Sequence, residues 1–214
     1  MATGDDAGQF TETRMILFTN LTSPFARLAR ITVIEKGLAD RVEVRVTDPW
    51  GGDPAFVGGN VHERVPALIT EDGTGISESA MVLHWLDQLA PEPPLFPKQG
   101  LAAMLRQAGA ALGAIDVMAA IIITRKSAPD FDSMVIGQKR FRTVNAAFDL
   151  LEAAPPRDMA EGPDMAAIAT ATALDYAAFR FPDRDWLGSR PNLAAWRARQ
   201  AGRASLDSTM PREA

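Results

Sequence analysis

The feature that most limits the fold of this chain is a proline-rich segment near its middle. Four of the seven residues from 91 to 97 are proline. Proline lacks a backbone N–H and has a fixed φ, so neither a helix nor a central strand continues through such a segment. The sequence therefore predicts two domains, at residues 15–90 and 101–214, joined by a linker at 91–100. Residues 1–14 are polar and aperiodic, which predicts a flexible tail.

The patterns before the linker alternate between strands and helices. Residues 15–18 form a short apolar run, and residues 42–46 alternate valine with charged side chains, as buried and half-buried strands do. Between them, Ser23 and Pro24 are the residue types favoured at the N-cap and the first position of a helix. Three further elements are predicted: strands near 65–69 and 75–76, and a helix that opens at 77–79 and ends before Pro91. The first domain is therefore predicted to be α/β.

The sequence after the linker predicts only helices. Long alanine- and leucine-rich segments are separated by short breaks that contain proline, glycine or aspartate, and such residues end helices. The predicted helices span residues 101–125, 134–153, 165–179 and 191–202. Asp164 is predicted to cap the third of them. The second domain is therefore predicted to be all-α.

Composition removes several classes of function. The 214 residues carry a net charge of −5, contain no cysteine and include only two histidines, His62 and His84. A cysteine nucleophile, a thiolate metal site and a disulfide framework are thereby excluded. The acidic balance argues against a nucleic-acid partner, and no segment reaches the roughly 20 consecutive apolar residues of a membrane span. We expect no metal, a surface or hydrogen-bonded structural position rather than catalysis for both histidines, and a soluble, cytoplasmic protein.

Three short motifs, in this order of elements, resemble those of the soluble glutathione S-transferases. They are T-S-P-F-A-R at 22–27, R-V-P-A-L at 64–68 and E-S at 78–79. R-P-N-L-A-A-W-R at 190–197 is similar to the end of that family's helical domain. The resemblance covers residues 15–205, and S-P-F is similar to bacterial Ser-type members. It implies a thioredoxin-like N-terminal domain followed by an all-helical domain that forms the acceptor site.

Ser23 is the candidate catalytic residue. A serine before a proline is first of all a helix N-cap, and this interpretation holds whatever the function. The resemblance implies in addition that the hydroxyl stabilises the thiolate of glutathione, helped by the positive end of the helix. Thr22, or the backbone N–H of Phe25 or Ala26, is an alternative donor for that role.

The second motif is expected to bind the middle and the glycyl end of glutathione. The resemblance implies a cis bond between Val65 and Pro66, and pairing of Val65 with the cysteinyl backbone. The alternative is that Pro66 simply opens an edge strand. Arg64 is the candidate for the glycyl carboxylate, unless it is an ordinary solvated arginine. Residues 60–64 read N-V-H-E-R where the family often has N-P-x-G-K, so a different loop shape is expected.

The third motif is expected to bind the γ-glutamyl end, which carries an ammonium and a carboxylate. Glu78 matches the ammonium, and Ser79 with its backbone N–H matches the carboxylate at a helix N-terminus. Alternatively, Ser77 or Ser79 caps the helix and Glu78 interacts with its dipole. For the acceptor site, whose helix faces carry no motif, Met118 and Arg125 are candidates. The alternative for Met118 is the core, where methionines at helical spacing more often lie.

Two functions therefore follow from the resemblance. The first is a glutathione transferase that uses glutathione as co-substrate and a small hydrophobic electrophile as acceptor, in a protein expected to be a homodimer. The second is a glutathione-binding or protein-interaction module without turnover, because folds are reused for other functions. Ser23 is the residue that separates the two.

Overall fold

The computed structural model describes residues 14–213. The tail predicted at 1–14 therefore lies outside the described residues, apart from Arg14. The N-terminal domain contains the elements β1 (Met15–Thr19), α1 (Pro24–Glu35), β2 (Val42–Val46), α2 (Pro54–Val57), β3 (Ala67–Ile69), β4 (Gly75–Ser77) and α3 (Ser79–Leu89). Each strand and long helix predicted before the linker is present, which confirms the α/β prediction.

The four strands form one sheet in the order β2-β1-β3-β4. β1 and β2 are parallel, whereas β3 is antiparallel to both β1 and β4. Phe18 near the end of β1 pairs with Ala67 at the start of β3, and Ala67 pairs with Ser77 at the end of β4. The chain therefore leaves β1, enters β3 and leaves β4 at the same end of the sheet.

Helix α1 begins and ends as its sequence predicts. Ser23 is the N-cap, Pro24 occupies the first turn, and the Ser23 side chain accepts a hydrogen bond from the Ala26 amide. At the other end, Gly37 follows the C-cap residue Lys36 with a φ of 64°, a left-handed conformation that costs glycine nothing. These caps fix where the loop before α1 meets the sheet.

The second domain is helical throughout the described residues. It contains α4 (Leu101–Arg125), α5 (Val135–Ala153), α6 (Met165–Arg180), α7 (Pro191–Arg199) and α8 (Ala204–Asp207), with 3-10 turns at Phe131–Ser133 and Met159–Glu161. The Asp164 side chain accepts a hydrogen bond from the Ala167 amide at 2.9 Å, which confirms the predicted cap. The last predicted helix ends at Arg199 rather than 202, and α8 was not predicted.

Helix α6 is the centre of the core. Its residues from Met165 to Ala177 are all buried, and α4 and α5 pack around it. Leu28 and Ile31 of α1 belong to the same apolar cluster, so one core spans both domains. The linker joins it as well: Leu95 is fully buried, and its carbonyl accepts a hydrogen bond from the Met165 amide at 2.9 Å.

A buried ion cluster fastens α1 to the helical domain. Arg27 is 2 % exposed, and its Nη2 lies 2.7 Å from the Asp175 carboxylate on α6. Arg197 on α7 pairs with the same carboxylate at 2.9 Å. Burial lowers the pKa of Arg27 below its ordinary value, and the neighbouring Asp175 opposes that change. The helix that begins at Ser23 is therefore held against α6 one turn later.

Among the described residues, α4 is the one helix long and apolar enough to cross a membrane by length and composition alone. Its buried face, which includes Ala111, Ile115 and Met118, packs into the helical core.

Candidate functional site

Ser23 lies half-buried at the N-terminal end of α1. Its Oγ accepts a hydrogen bond from the Ala26 amide at 3.2 Å, and its own amide donates to Asn20 Oδ1 at 2.8 Å. A serine hydroxyl has one proton to donate and two lone pairs, so the capping bond leaves the O–H available for a bound anion. The Ala26 amide is already used in the cap, which leaves Thr22 and the Phe25 amide as alternative donors.

The sheet register places the three motifs at the same end of the sheet. Ser23 follows the last residue of β1 by four positions, Val65 and Pro66 directly precede β3, and Glu78 directly follows β4. Because Phe18, Ala67 and Ser77 are neighbours across the sheet, the segments that follow or precede them are neighbours too. The first domain therefore brings all three predicted contacts with glutathione to one edge.

The loop before β3 has the backbone that the resemblance implies. The bond between Val65 and Pro66 is cis, Pro66 is buried and Val65 is half-buried. The Asn60 side-chain amide donates to the Arg64 carbonyl at 2.9 Å and closes the loop. Glu63, at the position where the family often has glycine, has a φ of 49°. The loop thus keeps a left-handed residue there in spite of the changed sequence, at some cost in backbone strain.

Helix α3 begins within residues 77–79, as the sequence predicts, but without a serine cap. Its N-cap is Glu78, and no side chain among the described residues caps it, so the alternative interpretation of Ser77 or Ser79 as a cap is wrong. Glu78 is exposed and has a φ of 69°, a conformation that costs a non-glycine residue about 1–3 kcal/mol. The first amides of α3 are consequently available to an anion, next to a half-buried Ser79.

The remaining candidates lie in different surroundings. Arg64 is exposed, and Phe25 is half-buried against the helical core. Met118 is fully buried in that core, so its side chain presents no surface to an acceptor. Arg125, at the end of α4, pairs with Asp132 through two hydrogen bonds of 2.9 and 2.5 Å. As the sequence predicts, His62 and His84 are both exposed.

Two concave regions of the surface lie away from the three motifs. One, of about 360 Å³, lies between α1 and β2, and its lining includes Arg30 and Val44. The other, of about 340 Å³, lies where α4 and α6 end, and it includes Arg125 and Arg184. The sequence reasoning missed Arg180 and Arg184 there, although the arginine-rich run R-F-P-D-R at 180–184 was an available signal.

No group of three or more metal-ligating side chains occurs within the part of the chain that the structure describes. The three motifs offer the hydroxyl of Ser23, the N-termini of α1 and α3, the carboxylate of Glu78 and backbone hydrogen-bonding groups.

Comparison with known proteins identifies the family. Residues 22–89 match the model for the glutathione S-transferase N-terminal domain, and residues 137–199 match the model for its C-terminal domain. The chain belongs to the glutathione S-transferase family. Its N-terminal domain is thioredoxin-like and its C-terminal domain is helical, as the sequence predicted.

Similar proteins cover nearly the whole chain. The uncharacterized GST-like protein YibF of Escherichia coli is 26 % identical over 207 residues, which are 94 % of this chain and 100 % of YibF. A glutathione S-transferase from Methylobacterium radiotolerans, solved with glutathione sulfonate, has a TM-score of 0.83 and 28 % identity over 94 % of this chain and 97 % of its own. A family member from Pseudomonas fluorescens with bound glutathione has a TM-score of 0.79 and 28 % identity, covering 93 % and 100 % of the two chains.

Proposed function

We propose that this chain is a glutathione transferase in which the Ser23 hydroxyl donates a hydrogen bond to the thiolate of bound glutathione. The observation that carries the proposal is the geometry of Ser23: its Oγ accepts the capping bond from Ala26 and so retains its proton for a ligand. The two other motifs, at the same end of the sheet, support it. So do the two similar structures, which contain glutathione or its sulfonate.

The energies required are within reach of this arrangement. A free thiol has a pKa of about 8.5, and lowering it by two units requires about 2.7 kcal/mol of preferential stabilisation of the thiolate. A charge-assisted hydrogen bond contributes roughly 1.5–3 kcal/mol. The N-terminus of α1 adds roughly 0.3–1 kcal/mol. No general base is needed, which agrees with the exposed positions of both histidines.

The tripeptide would be held at three points. Val65 pairs with the cysteinyl backbone through its N–H and C=O. Glu78 takes the γ-glutamyl ammonium, while Ser79 and the first amides of α3 take the neighbouring carboxylate. Arg64, which is exposed at the edge of the loop, reaches the glycyl carboxylate.

The reaction is a substitution or an addition at carbon. The thiolate forms a carbon–sulfur bond with the electrophile, and either a leaving group departs as an anion or the product takes a proton from solvent. The small hydrophobic acceptor lies between Ser23 and α4. Since the chain has no cysteine, the sulfur is that of glutathione in every variant of this chemistry, including isomerisation and peroxide reduction.

Steady-state kinetics with glutathione and chlorodinitrobenzene test the proposal. Ser23→Ala is expected to lower kcat/KM by at least about tenfold, because the variant loses a charge-assisted hydrogen bond to the thiolate. Ser23→Thr keeps a hydroxyl and is expected to keep more of the activity than Ser23→Ala.

Ser23→Gly separates chemistry from folding. Replacing a serine N-cap by alanine costs about 1 kcal/mol of stability, whereas glycine costs only a few tenths. The two variants should therefore lose activity equally but differ in their free energy of unfolding. Activity that follows stability instead, or full activity in both variants, contradicts the proposed role of Ser23.

The second function that the sequence leaves open is binding without turnover. The similarity to YibF, a GST-like protein described as uncharacterized, is compatible with either function. Glutathione binding by calorimetry, with no turnover of aryl halides, enones or peroxides, would favour the binding module.

We also propose a cytoplasmic homodimer. Two apolar pairs at helical spacing support the dimer: Met81 and Trp85 on α3, and Leu101 and Leu105 on α4, are all exposed. Such side chains are often covered in an assembly. Light scattering on the purified protein decides the point, and a monomeric mass contradicts it.

A further inference from the structure

The end of the helical domain contains a cavity rich in arginine that the glutathione contacts do not use. We call it the arginine cavity; it has a volume of about 340 Å³. It is lined by Arg125, Asp132, Arg180, Phe181, Asp183 and Arg184. Three guanidinium groups around one cavity are a common arrangement for binding a planar anion, because each guanidinium offers several donors in a fixed fork.

Aromatic rings hold two of these guanidinium groups in place. The Arg184 Cζ lies 3.6 Å from the centre of the Phe141 ring, and the Arg125 Cζ lies 4.9 Å from that of Phe181. Stacking on a ring leaves the N–H groups at the edge of the guanidinium free to donate. The aromatic rings therefore orient the donors before any ligand binds.

Two of the three arginines keep donors that no carboxylate satisfies. Arg125 is committed to Asp132 by two hydrogen bonds. Arg184 approaches the same carboxylate only to 3.9 Å. Arg180 pairs with Glu213 through Nη1 at 2.6 Å, and its Nε is buried and so out of reach of a ligand. Arg184 is thus the guanidinium that a ligand would meet.

The cavity is linked to the loop that carries Ser23. Glu213 binds Arg180 at the cavity, and the neighbouring Arg212 donates its amide to the Leu21 carbonyl at 3.2 Å. Leu21 precedes Ser23 by two residues. Residues 212 and 213 therefore connect the lining of the arginine cavity to the loop before α1.

We propose that the arginine cavity binds the carboxylate of the acceptor, so that the preferred electrophiles are aromatic acids. The inference rests on the proposed transferase function and names its substrate class. Arg125 and Arg180 are paired with Asp132 and Glu213. Arg184 is therefore the guanidinium of the lining that forms no hydrogen bond with a carboxylate of the described residues, and its planar fork matches a planar monoanion such as a carboxylate.

Binding of two compounds that do not react with glutathione tests the arginine cavity without any turnover. Calorimetry would compare nitrobenzoate with nitrobenzamide, which differ in charge but hardly in shape, on the full chain. We expect Arg184→Gln to weaken nitrobenzoate binding by about tenfold, since a charge-assisted hydrogen bond is lost, and to leave nitrobenzamide binding unchanged. Arg142→Gln is the matched control, because Arg142 is exposed on the neighbouring helix α5 and does not line the cavity.

Kinetics with the corresponding electrophiles then test whether the arginine cavity binds the acceptor during turnover. kcat/KM for chloronitrobenzoate is expected to fall by about tenfold in Arg184→Gln, whereas kcat/KM for chloronitrobenzamide stays the same. Asp183→Asn removes a repelling charge and is expected to raise kcat/KM for the acid by about twofold or more. Loss of fold does not produce such a gain, so the aspartate variant guards against a merely structural effect.

The outcomes distinguish the inference from the proposed function. Equal binding of the acid and the amide, or equal losses in Arg184→Gln and Arg142→Gln, overturns the arginine cavity as a carboxylate site. Selective binding of the acid without any selective change in kcat/KM overturns the role of the arginine cavity in binding the acceptor during turnover. If no electrophile turns over, the proposed function fails, and the calorimetry still decides whether the cavity binds a carboxylate.

Discussion

In the N-terminal domain the candidate site is built by the backbone, whereas in the helical domain it is built by side-chain packing. The register of Phe18, Ala67 and Ser77 brings three loops together whatever the surrounding side chains are. In the helical domain, by contrast, the arginine cavity exists because the ends of α4 and α6 meet and present their last residues to one another. The proposed glutathione contacts follow from topology, and the proposed acceptor contacts follow from individual side chains.

The ion pairs within the N-terminal domain and between the two domains differ in their burial. In the N-terminal domain Arg41 and Glu71 pair at 3.2 Å, with both side chains about half exposed. Between the domains, Arg27 and Asp175 pair at 2.7 Å, and both side chains are nearly inaccessible to solvent. A buried pair loses its hydration in both members, so removal of one partner is far more costly there.

The largest predicted effect is the loss of stability when the buried ion cluster of Arg27, Asp175 and Arg197 is broken. Asp175→Asn leaves Arg27 and Arg197 without their shared carboxylate, and we expect the free energy of unfolding to fall by about 3–5 kcal/mol. Urea denaturation followed by circular dichroism measures the change.

Glu71→Gln is the matched control for Asp175→Asn. It breaks an exposed pair with the same change of a carboxylate to an amide, and a loss of about 1 kcal/mol or less is expected. Similar losses in the two variants would mean that the interface between α1 and α6 is not held by its buried charges.

A smaller effect is predicted for Asp132 in the arginine cavity. The hydrogen bonds from Arg125 hold the pKa of Asp132 below its ordinary value. A carboxylate whose pKa is lowered by folding stabilises the protein above its unfolded pKa of about 3.9, and this contribution disappears as the pH falls through the folded pKa. With Asp132 about one-third exposed, we expect less than about 1 kcal/mol.

Urea denaturation of the parent and Asp132→Asn at neutral and at acidic pH measures this contribution. The two proteins should differ at neutral pH, begin to converge below about pH 4, where the carboxylate of the unfolded chain takes up its proton, and agree once the pH is below the lowered pKa of the folded carboxylate. Asp130→Asn is the control, since Asp130 forms no ion pair with any residue that the structure describes. A difference that persists in acid contradicts the assignment.

The parts of the molecule that could be predicted are those that depend on local backbone chemistry. The cap at Ser23, the glycine after α1 and the cap at Asp164 all follow from residue types with strong positional preferences. The cis bond before Pro66 was predicted from the resemblance of short motifs, and the same resemblance led to the proposal that glutathione is the ligand. These predictions needed no knowledge of which side chains meet across the fold.

The parts that could not be predicted depend on long-range contacts. Glu78 and Glu63 adopt positive φ values although neither residue type favours them, because the neighbouring strands fix the ends of both loops. Met118 is apolar and on the expected helix, yet it faces the core. Arg180 and Glu213 pair across 33 positions of sequence, and no local pattern indicates such a partner.

The central claim is tested most directly by the ionisation of bound glutathione. Thiolate absorbance in the ultraviolet, followed from pH 5 to pH 9 as an approximate range around the pKa of a free thiol, gives the pKa of the thiol in complex with the parent protein and with Ser23→Gly. We predict a pKa about two units below that of free glutathione in the parent, and a rise of one unit or more in the variant. An unshifted thiol in the parent, or the same lowered pKa in both proteins, would contradict the role of Ser23.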